Sequence, residues 1–293
     1  MSHWIYIHNI DPVLVHLGPL RIGWYGLMYA IAFLTGYWYI IRESRRPDSP
    51  VTTEDVPNLF TYVILGVIVG GRLGWVIFYG GLPYFEQPYR ILQTWKGGMS
   101  FHGGLLGVLT AMWLYSRSRK LRLLDVGDFV ITWVPVGLFL GRIGNFINGE
   151  LYGAPTGSSW RMLFADHCGL RGGATNIVPS LPTWGVIFPA DPLHVPRHPS
   201  QLYEAALEGI VIFAVLLLLR HRVHRRGHQA AVFLLLYGIM RFLVEFVRLP
   251  DAGAGCPVWI LTKGQLLSLP MIVIGAAWTA WLFLRPPDMD VGA

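Results

Sequence analysis

VGLFLGRIGNFINGELY, residues 136–152, is the stretch from which the rest of the chain is read. It opens as an apolar helix suited to a lipid bilayer and closes with Arg142, Asn145, Asn148 and Glu150. A charged side chain inside a bilayer costs about 2.5–3.5 kcal/mol on insertion scales, so an arginine at that depth is expected to serve a purpose, and the simplest is to hold an anion.

The surrounding chain has the composition of a membrane protein. Of its 293 residues 53% are hydrophobic and only 14% charged, which excludes an ordinary soluble domain. Apolar runs long enough to cross about 30 Å of hydrocarbon cover residues 20–41, 56–79, 99–115, 126–147, 199–219, 230–247 and 264–284. The expected fold is therefore all-α and polytopic, with seven transmembrane helices forming one membrane-embedded domain over residues 1–293. The amino-terminal segment has no basic start and no uninterrupted apolar core, so it does not read as a cleaved signal peptide, and the first span is expected to direct insertion.

Basic residues near span ends stay in the cytoplasm. They gather after the first span (Arg42, Arg45, Arg46), the third (Arg117, Arg119, Lys120, Arg122) and the fifth (Arg220, Arg222, Arg225, Arg226). These are alternate loops, which puts the amino terminus outside and the carboxyl terminus inside. The net charge of +6 is largely this topological signal, and it is not read as nucleic-acid binding. The largest outer loop, residues 148–198, is rich in Gly, Pro and Trp and is expected to form a small extracytoplasmic head. Cys168 and Cys256 both fall in outer loops, where a disulfide and two free thiols are equally compatible with the sequence. The last nine residues, RPPDMDVGA, read as a disordered tail.

Threading the polar residues onto this topology places them in one layer of the outer leaflet: Trp24, Tyr25, Arg72, His102, Arg142, Asn145, Gln201, Tyr203, Glu204, Arg241, Glu245, Arg248 and Gln265. Arg241, Glu245 and Arg248 share one helix face at i, i+4 and i+7, and Arg142, Asn145 and Gly149 stack similarly. Glycines at 66, 70 and 74, at 103 and 107, and at 137 and 141 repeat every four residues and are assigned to close helix packing. Arg72 reads as a structural arginine neutralising a carboxylate. Arg142 and Arg241 could pair with Glu150 and Glu245 alone, yet their polar neighbours exceed what neutralisation requires. His102, in SFHGGLLG, suits either a structural donor or a proton-transfer group. Two guanidinium groups at head-group depth point to a lipid phosphate, onto which arginine forks bidentately.

The runs GWYGLMY at 23–29, GGRLGWVIFY at 70–79, GGMSFHGGLLG at 97–107, GRIGNFINGELYG at 141–153, RHPSQLYEA at 197–205 and YGIMRFLVEFVRLPD at 237–251 resemble those of bacterial prolipoprotein diacylglyceryl transferases. The resemblance implies an enzyme of the bacterial inner membrane that moves the diacylglyceryl group of phosphatidylglycerol to the lipobox cysteine of a prolipoprotein, forming a thioether and releasing glycerol phosphate. Its partners would be that lipid, the lipobox signal peptide and the bilayer, with no metal, no organic cofactor and no nucleic acid. By this similarity Arg142 and Arg241 would stabilise the leaving phosphate and His102 would be the base, with Glu150 and Glu245 as competitors for that role. Tyr25, Asn145, Glu150, Gly153, Tyr237, Glu245 and Arg248 would bind substrate. A transporter or channel for an anionic solute is the alternative, although it would be expected to show paired halves and broken helices meeting at the midplane. Neither a retinal-type lysine in the last span nor a protease-like serine is legible.

Overall fold

The computed structural model describes residues 4–18, 20–81, 84, 86–94, 97–157, 184–220, 225–249 and 261–284. Cys168, Cys256, the expected tail and much of the expected head lie outside the described residues. The protein is mostly helical: α1 Trp24–Ser44, α2 Val56–Trp75, α3 Phe101–Ser118, α4 Leu123–Ile131, α5 Val134–Ile147, α6 Ser200–Arg220, α7 His228–Val244 and α8 Lys263–Leu284. Two small sheets qualify the all-helical expectation. β1 (Trp4–Ile7) pairs in parallel with β4 (Trp184–Ile187), and β2 (Val13–Leu17) forms an antiparallel hairpin with β3 (Leu20–Gly23). The hairpin occupies the start of the first expected span, so helix begins only at Trp24.

Among the described residues, Thr53–Gly80, Ser200–Arg220 and Lys263–Leu284 are long and apolar enough to cross a bilayer, and a fourth crossing is available if α4 and α5 count as one bent span. The bend is 43°. Pro135 in the first turn of α5 has no N–H and its ring would clash with a carbonyl one turn earlier, which stops α4 from running on. α7 is apolar but has 17 residues, which at 1.5 Å per residue falls short of about 30 Å.

The chain divides into two compact units, residues 37–130 and residues 1–36 with 131–293. In the first, α2 and α3 pack through backbone. A methyl group added at Gly74 would lie 2.6 Å from Gly103 Cα, and one at Gly70 2.6 Å from Gly107 Cα. At the far end of this pair the buried Tyr115 hydroxyl donates to Asp55 Oδ2 (2.6 Å), and Arg119 pairs with the same carboxylate. Arg72, 3% exposed, is structural as expected, but its partners are carbonyls and not a carboxylate. Its guanidinium donates to the backbone oxygens of Arg90, Ile91, Gln93, Gly97 and Gly98, at 2.6–3.3 Å. The rings of Trp75 and Tyr84 flank it. A segment with little regular structure must satisfy its backbone somewhere, and here one side chain does so.

In the second unit, Gly238 and Gly275 bring α7 and α8 together against Ile272 and Leu235. Gly137 and Gly141 depart from the packing expectation, since a methyl group at either would meet nothing within 4 Å. The described part of the 148–198 loop is pinned by Asp191, fully buried, which accepts from Arg197 Nε (2.8 Å) and Nη2 (2.7 Å). Burial pushes the Asp191 carboxyl up, but the hydrogen bonds and charge of Arg197, with the amides of Leu193 and Val195, outweigh it and hold the group below the usual carboxylate range.

Two outcomes follow. Replacing Gly107 by Leu should lower the melting temperature in detergent by at least about 5 °C, as overpacking costs 1–3 kcal/mol or more, whereas Gly141→Ala should leave it unchanged. A group whose folded value is depressed contributes stability in full above its unfolded value, about 3.9 for Asp, and loses it as pH falls through the folded value. Thermal melts of the wild type should therefore be flat in this respect from pH 7 to about 5 and weaken below pH 4. Asp191→Asn should be less stable at pH 7 and lose that acid-side dependence.

Candidate active site

The site is built on α6. Glu204 and Glu208 are four residues apart and fully buried, and the helix widens into a π-helical stretch, Ala205–Val211, immediately after the first of them. Such widened turns recur at functional sites. Gly209 lets α5 lie directly on this stretch, because a methyl group there would sit 2.6 Å from Phe139 Cβ. One turn further along α5, Arg142 then reaches Glu204.

Glu204 joins the cluster. Arg142 Nε lies 2.7 Å from its Oε2 in an ionic contact without an aligned hydrogen bond. Arg241 Nη1 donates to its Oε1 at 2.9 Å, and Arg248 Nε stands 3.9 Å from the same atom. Arg241 also contacts Glu245 Oε2 at 3.1 Å. Glu208 is the least satisfied member. Both its oxygens are buried without a hydrogen bond, and Arg142 Nη2 is 3.9 Å away. The arginine side chains retain 17% (Arg142) and 16% (Arg241) exposure while Glu204 and Glu208 have none. The arginine side chains thus border the buried carboxylates on the more exposed side of the cluster.

The two arginines chosen from sequence thus converge on one carboxylate; Arg241 keeps the expected Glu245 beside it, but Arg142 does not have its expected partner. Arg142 pairs with Glu204 and Glu208, not with Glu150. After Ile147 the helix ends, Gly149 takes a positive φ of 67°, and Glu150 turns back to accept from Asn145 Nδ2 (2.9 Å) and Asn148 Nδ2 (3.4 Å). Gln201 Nε2 donates to the Glu150 carbonyl at 2.7 Å. The Tyr25 hydroxyl lies 3.2 Å from that of Tyr29 and within hydrogen-bonding reach of Asn145. Its ring packs on Gly144, where a methyl group would come within 2.8 Å of it.

Gly153 is buried in a narrow passage: it bridges Arg248 in antiparallel fashion, its N–H donates to His198 O (2.8 Å), and an added methyl group would lie 2.7 Å from that oxygen. Only glycine fits there. Tyr237 stacks on Phe233 one turn before Arg241. Glu245 is held from its far side by Thr262, whose hydroxyl donates to Oε1 at 3.0 Å. His102 belongs to the other unit, exposed in the first turn of α3 behind the Ser100 cap, its ring edge-on to Phe101. Glu204 was legible as a polar residue of the layer but not as its centre. Glu208 was missed, although a second acid four residues on in an apolar run is itself a signal.

Helices apolar enough for a bilayer, with a buried cluster of arginines and glutamates among them, define a multi-pass membrane protein. The family model described as prolipoprotein diacylglyceryl transferase matches residues 12–281, and this chain belongs to that family. It is 49% identical over 280 residues to the phosphatidylglycerol–prolipoprotein diacylglyceryl transferase of Nitratidesulfovibrio vulgaris (strain DP4), covering 95% of each chain. The proteins of that name from Sodalis glossinidius (42%) and Salmonella choleraesuis (41%) align over 292 residues and 99% of each chain.

Removing one partner of a buried ion pair costs about 3–5 kcal/mol. Glu204→Ala should lower stability on that scale in denaturant or thermal unfolding. Glu208→Gln, which gives up only a 3.9 Å ionic contact and no hydrogen bond, should cost clearly less than Glu204→Ala.

Proposed function

We propose that this protein transfers the diacylglyceryl group of phosphatidylglycerol to the lipobox cysteine thiol of prolipoproteins and releases glycerol phosphate, the first step of lipoprotein maturation. The observation that carries the reading is the convergence of Arg142 and Arg241 on Glu204, with both arginine side chains partly exposed and the carboxylate fully buried. The cysteine sulfur attacks the glycerol carbon bonded to phosphate oxygen; the S–C bond forms, the C–O bond breaks with its electron pair leaving on glycerol phosphate, and the thiol proton passes to a base. A phosphodiester carries one negative charge and the departing monoester gains more, so guanidinium groups aimed at it stabilise the transition state above the bound lipid.

In this reading Arg142 and Arg241 turn part of their hydrogen bonding from Glu204 to phosphate. Glu245 and Arg248 hold the second arginine's surroundings, while Tyr25, Asn145, Glu150, Gly153 and Tyr237 shape the lipid seat. A thiol of ordinary pKa near 8.5 is mostly protonated at neutral pH, and His102 is the candidate to accept its proton. The enzyme works in the bacterial inner membrane as a single domain threaded seven times, with its amino terminus and the 148–198 head outside and its carboxyl terminus in the cytoplasm.

The test is purified protein in detergent given phosphatidylglycerol and a lipobox peptide. The peptide should gain a diacylglyceryl mass as glycerol phosphate appears, and solute flux without that gain would instead identify a transporter. Arg142→Lys and Arg241→Lys should each lose about 100-fold or more in turnover while still inserting, since an ammonium cannot fork onto phosphate. His102→Gln should abolish turnover at neutral pH, and unchanged turnover across pH would remove His102 as the base.

A further inference from the structure

α8 starts with a reciprocal cap. Gln265 N donates to Thr262 Oγ1 (3.1 Å) and Thr262 N donates to Gln265 Oε1 (3.1 Å), the T-x-x-Q arrangement that fixes a helix start. A hydroxyl has one proton and two lone pairs. With a lone pair of Thr262 committed to Gln265 N–H, its proton is aimed at Glu245 Oε1, 3.0 Å away. The next turn is also shaped to this carboxylate: a methyl group on Gly264 would lie 2.6 Å from Glu245 Oε2. Glu245 passes the constraint on through its 3.1 Å contact with Arg241, whose other nitrogen reaches Glu204 at 2.9 Å. Thr262, Gln265 and Glu245 are all buried, so water does not substitute for any of these links.

We propose that Thr262 is a positioning residue for transfer: its hydroxyl, oriented by the cap it shares with Gln265, sets Glu245 so that Arg241 faces the phosphate of the lipid. Gly264 serves the same end by leaving room for the carboxylate. The inference rests on the transferase reading. It adds a group that touches neither substrate nor the reacting atoms, contributed by a helix in which none of the residues expected to act had been placed.

A mere cap and a positioning donor are separable. Thr262→Ser keeps both cap and donor. Thr262→Asp keeps the cap, because aspartate is as good an acceptor at that position, but it has no proton to give and sets a second carboxylate against Glu245. The readouts are kcat and KM for phosphatidylglycerol in the lipobox-peptide assay, with melting temperature as the control. Thr262→Ser should retain turnover within about 3-fold, and Thr262→Asp should lose at least about 10-fold in kcat, the scale of a hydrogen bond to a charged group. In a Glu245→Gln background the new amide can donate to the carboxylate that Thr262→Asp introduces, so the further loss caused by Thr262→Asp should shrink to less than about 3-fold. Equal kcat for the serine and aspartate variants, or an undiminished loss in the Glu245→Gln background, overturns the proposal. Absence of transfer by the wild type would overturn the transferase reading instead.

Discussion

A carboxylate with no exposure, wedged among three arginines, is the constraint on which this molecule turns. A buried carboxylate is costly without cations beside it and buried guanidinium groups are costly without an anion among them, and Glu204 with Arg142, Arg241 and Arg248 answers both. Each requirement recruits a different part of the chain. α5 is drawn onto α6 at Gly209, α7 arrives with Arg241, and the stretch after α7 returns Arg248 to pair its backbone with Gly153. The arginines are not fully enclosed by this neutralisation, since the Arg142 and Arg241 side chains keep some exposure while Glu204 has none. In the proposed reading, a phosphate entering there would replace part of an existing ion pair, which would limit the desolvation cost of binding it.

The chemistry fits the protein's family. An intramembrane enzyme acting on a phospholipid head group must keep water from competing with the thiol while stabilising charge that grows on a leaving phosphate. Under the proposed function, guanidinium groups backed by buried carboxylates would meet both demands, as a poorly solvated setting strengthens their field.

Much of the helical frame was legible because apolar runs with basic flanks are imposed by the bilayer itself. Arg142 and Arg241 were legible for the same reason, as ions are costly inside such runs. Glu245 beside Arg241 was legible too, at i, i+4, but the carboxylate the two arginines share was not. Sequence proximity favoured Glu150 for Arg142, yet the positive φ at Gly149 turns that residue away, and the true partner is Glu204, far along the chain on α6. Glycine spacing showed the same limit: the repeat at 66, 70 and 74 has a helix against it and the pair at 137 and 141 has none, a difference set by which face is covered. β1, β2 and β3 were hidden because strands of four or five residues leave little periodic signal, and the α4–α5 bend shows only as a proline whose effect depends on its neighbours.

Arg72 carries a consequence beyond its own position. Five carbonyl oxygens of an irregular segment end on one side chain, so those peptide groups are matched by the protein and have little need of water. Lipid excludes loops chiefly because their peptide groups go unmatched there. A loop that carries its own internal solvent escapes that exclusion and can rest at the boundary between head groups and acyl chains, where a protein that handles both a lipid and a polypeptide has most use for an irregular surface.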